Sequence, residues 1–248
     1  MTCRGIGELN SCLGLLTEYG IAFGQYLAKS EQQDDPAEIM ITRAFDLGLL
    51  TGEAMIALCQ VREENAALAC TLCRPFFESS LRVLWASRAL PEAPDPWERL
   101  QKYWATEELK WADEAKAIDS SKDIAETVRQ RNQEILDRTD GKRESLSIPH
   151  MMGEVDKRDV SDELMPKDGK NADWAYPNIY RQLCKAAHGH PSTIGFYSPG
   201  FLLNLAANSF VMATSFLIRA VCHFAGGDNE RAEIVKTTER IKAILVGQ

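Results

Sequence analysis

Ala69-Cys-Thr-Leu-Cys-Arg74-Pro-Phe-Phe-Glu78-Ser-Ser-Leu81 lies inside a long Ala- and Leu-rich run over 63–90, and its reading decides the fold. Apolar residues return there with helical periodicity and without the alternation of a strand. Pro75 is the only interruption. It cannot donate to the preceding turn, so it either kinks the helix or starts a new one after Cys73. Arg74 and Glu78 stand one turn apart, and Phe76, Phe77, Leu81 and Leu84 around them predict partial burial. A buried glutamate needs a partner, and Arg74, Tyr180, Arg181 and His188 are the candidates.

The same period continues outward in both directions. Leu13, Leu16, Phe23 and Leu27 mark a first helix over 9–28. Asp34-Asp35-Pro36 reads as a helix start, with Asp35 as cap and Pro36 where no N–H is missed. That helix is expected to end near Gly48, with Thr51 capping another. Pro91, Pro94 and Pro96 make a rigid turn, followed over 97–137 by two helices, or one broken near 119–121. The stretch 141–171 is rich in charge, Gly, Pro and Met and reads as a loop or insertion with short helical turns. Helices resume over 177–187 and 201–224, and a last amphipathic one is expected over 230–245. The pattern predicts an all-α chain, one helical bundle of about seven to nine helices over 1–248.

Composition narrows the function classes. A net charge of −8 opposes general binding to nucleic acid or anionic membranes, since a uniformly acidic surface repels polyanions, but a local basic patch stays open. Seven cysteines, an odd number set mostly in apolar helices, point to reduced, buried thiols and a cytoplasmic setting. Cys70-Thr-Leu-Cys73 has redox spacing but sits in a helical pattern rather than after a strand. The N-terminus does not read as a signal peptide. Residues 201–218 carry no charge, yet Asn204, Asn208, Ser209, Thr214 and Ser215 fit a buried bundle helix better than a membrane span. Phosphate-loop, dinucleotide-binding, zinc-protease and serine-hydrolase motifs are absent.

The chemistry gathers in Tyr180-Arg-Gln-Leu-Cys-Lys-Ala-Ala-His188-Gly-His190-Pro191. Seven residues are close to two helical turns, so Arg181 and His188 share a face, with Lys185 on the same stripe. A histidine can move a proton near neutral pH, and Arg or Lys can steady the anion formed as a ribose 2′-OH attacks phosphate. Tyr180 can add a donor or a stacking surface. The same residues also suit a structural role: a histidine in the last turn favours the helix dipole, while Arg181 pairs with a carboxylate. Glu78 then either orients His188 or pairs with Arg181. A metal reading would use Glu78, Cys184, His188 and His190, a set short of one further ligand. Trp97, Trp104 and Trp111 have heptad spacing and read as a packing or dimer stripe.

Arg74-Pro-Phe-Phe-Glu78-Ser-Ser-Leu81 and the later Tyr180…His188 segment resemble the two signature segments of a bacterial all-helical family of unknown function. The second segment is also similar to the Arg-x4–6-His motif of HEPN domains. Those helical domains are often dimers, and some are metal-independent endoribonucleases in toxin or defence systems. The resemblance implies Arg181 and His188 as a catalytic pair and Glu78 as a supporting residue. Tyr180, Lys185, His190 and Arg74 would then face the substrate. It further implies RNA as partner, a homo-oligomer and no cofactor, while the charge and the 201–218 segment above point to no membrane. The alternatives are a non-catalytic helical interaction module or a metal-binding bundle.

Overall fold

The computed structural model describes residues 4–28, 36–61, 65–87, 96–116, 122–138, 147–158, 179–188 and 198–225, with 236 and 240. Among them the chain is all-α, with eight helices and no strand. These are α1 (Arg4–Leu27), α2 (Pro36–Val61), α3 (Ala66–Ser87), α4 (Pro96–Ala115), α5 (Lys122–Asp137), α6 (Ile148–Arg158), α7 (Arg181–Ala187) and α8 (Pro199–Ala225). Pro36, Pro96 and Pro199 each open a helix, where a missing N–H costs nothing and the fixed φ is already helical. Ser198 caps α8 by accepting the Phe201 N–H at 3.2 Å. Glu38, Glu98 and Asp123 lie in the first turns of α2, α4 and α5, on the favourable side of the helix dipole.

α3 is the hub, packed on α8, α2, α7, α4 and α6. Pro75 lies inside it, so the helix runs through the proline. On the α8 side the ring centroids of Phe76 and Phe210 are 5.0 Å apart, and those of Phe77 and Phe216 are 5.6 Å apart. One hydrophobic cluster takes residues from every helix but α5. α5 pairs with α4 through two smaller apolar clusters and an ion pair between Arg129 and Asp113. α8 is long and apolar enough to cross a membrane, but 67% of its most apolar window is buried in the bundle.

Four expectations need correction or limits. α2 does not end near Gly48; it runs on to Val61. Gly48 and Gly52 are points of close approach, not breaks. A Cβ on Gly48 would lie 2.7 Å from the ring of fully buried Phe76, and one on Gly52 would lie 2.8 Å from Phe210. Part of the 141–171 stretch is a core helix: α6 buries Ile148, Met151, Met152 and Val155. Its methionines, read as loop composition, fill gaps against α3 instead. The tryptophans do not share one environment: Trp97 is buried against Phe224 at 4.6 Å, whereas Trp111 is 44% exposed. The helix expected over 230–245 lies outside the described residues except at 236 and 240, where Arg240 pairs with Glu18.

Gly48→Ala tests the close approach. Helix propensity alone favours alanine by about 1 kcal/mol, but overpacking a closed core costs about 1–3 kcal/mol. The melting temperature is expected to fall by a few degrees for Gly48→Ala. It should rise slightly for Gly14→Ala, whose added Cβ meets nothing within 4 Å. A rise in both would refute the contact with Phe76.

Candidate functional site

α3 presents Arg74, Glu78 and Arg82 at successive turns, so two guanidiniums flank one carboxylate. Arg74 Nε donates to Glu78 Oε1 at 2.8 Å, and Arg82 Nη2 donates to Oε2 at 3.0 Å. Tyr180, at a wider π-type turn leading into α7, donates its hydroxyl to Glu78 Oε1 at 3.1 Å. Its ring stacks on Phe77 with centroids 6.3 Å apart, and the Arg74 guanidinium carbon lies 6.0 Å from the Tyr180 centroid. The Glu78 side chain is 15% exposed, against 25% for Arg74 and 29% for Arg82. Burial works against the Glu78 charge, but the Arg74 hydrogen bond and the charges of Arg82 and Arg74 outweigh it. Together they hold the carboxyl below the usual carboxylate range. The Glu78 hydrogen bond likewise raises Arg74. Burial, then contacts with Cys184 and Glu78, push the Tyr180 hydroxyl up, so it stays a donor.

His188 joins through Arg74. α7 ends at Ala187, and His188 is its C-cap, with φ −93° and ψ 9°, its N–H bonded to the Cys184 carbonyl at 3.0 Å. Leaving the helix there turns the ring toward α3, where Arg74 Nη1 lies 3.1 Å from Nε2. A guanidinium has no acceptor, so this contact requires Nε2 to accept and places the ring proton of neutral His188 on Nδ1. His188 is exposed and open to solvent on its outer side.

Glu78 therefore contacts neither His188 nor Arg181 and takes the two arginines of its own helix together with Tyr180. Arg181 is exposed and makes no hydrogen bond or ion pair among the described residues. Lys185 is half-buried on α7. His190 lies outside the described residues. Arg82 escaped the sequence reading, although its i+4 spacing from Glu78 mirrors that of Arg74. Tyr103 of α4 extends the network by contacting Arg82; burial is the main cause of its raised hydroxyl.

The other candidate groups separate from this cluster. Both Glu78 oxygens accept from guanidiniums, which compete with any metal for that carboxylate. Among the described residues no group of three or more His, Cys, Asp or Glu could hold a metal ion. Cys70 and Cys73 are buried thiols; Cys70 donates to the Leu202 carbonyl at 3.1 Å, and burial raises Cys73 well above an ordinary thiol. Burial also pushes Cys12 up to about 12. No family model, curated protein or solved structure matches the chain.

Proposed function

We propose that this protein is a HEPN-like RNA-binding protein, acting as a metal-independent endoribonuclease at His188. The observation that carries the reading is an exposed histidine held at hydrogen-bond distance from an arginine that a half-buried carboxylate fixes in place. His188 takes the proton of a ribose 2′-OH as that oxygen attacks the adjacent phosphorus. Arg74 steadies the added negative charge on phosphate, and exposed Arg181 with Lys185 meets the RNA backbone. The 5′-oxygen leaves with a proton from solvent, giving a 2′,3′-cyclic phosphate and a 5′-hydroxyl end. A cytoplasmic dimer in a toxin or defence setting belongs to the same proposal, on the strength of the motif resemblance. The overall negative charge confines RNA to this small basic seam, so binding weakens with salt in proportion to the few phosphates it meets.

The test is cleavage of mixed-sequence RNA in excess EDTA by wild type and His188→Ala. Wild type is expected to cut, and His188→Ala to lose about a hundredfold or more of the rate with its helicity intact. Absence of cutting and binding by well-folded wild type would favour a second reading, a non-catalytic interaction module. The observation behind that reading is that both Glu78 oxygens are satisfied within the fold.

A further inference from the structure

The Arg74–His188 contact has a consequence for how such a site would work. The nitrogen that would receive the 2′-OH proton is Nε2, and in the RNA-free protein Nε2 already accepts from Arg74 Nη1. The other ring nitrogen carries a proton and cannot act as base. Histidine and arginine therefore face each other as a closed pair. Resting on the RNA-cleavage reading above, we propose that Arg74 is a latch on His188 that a phosphodiester opens. The phosphate takes over the Nη1 donor, Arg74 pivots about the Nε–Glu78 bond, and Nε2 is freed beside the phosphate that the same guanidinium now holds.

Three features make the exchange favourable. A guanidinium bonded to an anionic oxygen gains charge–charge attraction and a matching fork geometry that neutral imidazole does not offer. Glu78 fixes Nε at 2.8 Å, so the guanidinium can change its outer partner without leaving the site. A carboxylate held between two guanidiniums leaves one net positive charge, so Glu78 does not repel the incoming phosphate. His188 is exposed and the Arg74 side chain is 25% exposed, so an anion can reach the pair from solvent. In this arrangement Glu78 is a positioning residue, acting on His188 only through Arg74. The cation working with His188 is Arg74, 114 residues away in sequence, rather than Arg181.

The tautomer of His188 reads the latch directly. With four histidines in the chain, His188→Gln assigns its ring resonances. Nitrogen-15 shifts of the full-length protein are expected to show the Nδ1–H form, with Nε2 as acceptor. Arg74→Lys keeps a cation for Glu78, but its one nitrogen cannot occupy both the Nε and the Nη1 position, so the Nδ1–H preference should be lost while the fold persists. Single-stranded RNA with 2′-O-methyl ribose, which cannot be cut, should shift the Nε2 resonance in wild type and leave it unmoved in Arg74→Lys. On cleavable RNA, Arg74→Gln is expected to lower kcat about 10²–10³-fold, while Arg181→Ala raises KM and leaves the tautomer unchanged. A free protein with the proton on Nε2, or an Arg74→Lys variant with wild-type ring shifts, overturns the latch. If wild type binds no RNA, the functional reading fails, but the ring shifts of the free protein still decide whether Arg74 holds Nε2.

Discussion

Trp85→Ala is expected to lower unfolding stability by about 4–5 kcal/mol, enough to shift melting by roughly 10–20 °C in a chain of this length. The ring is 1% exposed, so truncation leaves a large cavity in α3 at the centre of the bundle. The arginine on its face adds to the loss. Arg99 of α4 is 3% exposed; its guanidinium carbon sits 3.7 Å from the Trp85 ring centroid, and its Nη1 donates to the Trp85 carbonyl at 3.0 Å. Trp85 Nε1 and Arg99 Nη2 both donate to Glu154 Oε2 of α6, at 2.6 and 3.1 Å. Removing the indole strips a buried cation of its aromatic face and Glu154 of a donor, so three helices lose one junction. Trp85→Phe keeps most of the packing but loses the indole N–H and part of the ring volume, at an expected cost of about 1–2 kcal/mol. A Trp85→Phe variant as stable as wild type in urea denaturation would show that the polar clasp contributes nothing.

Glu78→Ala is the second large change. It leaves two guanidiniums without their shared carboxylate and Tyr180 without its acceptor. Breaking a fully buried pair costs about 3–5 kcal/mol; because Arg74 and Arg82 are partly exposed, about 2–3 kcal/mol is expected. The pH dependence follows from the depressed carboxyl. A carboxylate held lower in the folded chain than in the unfolded one contributes fully above the unfolded value near 4.5. That contribution fades as acid drops the pH through the lower folded value. Between pH 7 and 3, wild type should lose more stability than Glu78→Gln. Parallel curves for the two proteins would mean that the carboxyl is not depressed.

Much of this was legible in the residues. The helical period within 63–90 and over 201–224 and the i+4 relation of Arg74 and Glu78 are local properties, and the structure follows them over Ala66–Ser87 and Pro199–Ala225. Gly48 misled because a helix-breaking residue and a close-contact residue are the same residue in sequence; only the Phe76 ring against it separates the two. The α6 helix was hidden because its apolar face, Ile148, Met151, Met152 and Val155, is short and set among charges. At the site, the sequence grouped Arg181 with His188 by helical spacing. Spacing carries no information about the C-cap turn that sends His188 to Arg74 instead. Partners 102 and 114 residues apart are set by how α3 and α7 pack, which no local pattern encodes.

That assembly is also what a coupling measurement addresses. Unfolding free energies of Glu78→Ala, Tyr180→Phe and the double variant form a cycle across the α3–α7 seam. If Glu78 gathers Tyr180 and the two arginines into one cluster, the cycle should give a coupling of about 0.5–2 kcal/mol. Additivity within about 0.3 kcal/mol would place Tyr180 away from Glu78 and contradict the site from which the function is argued.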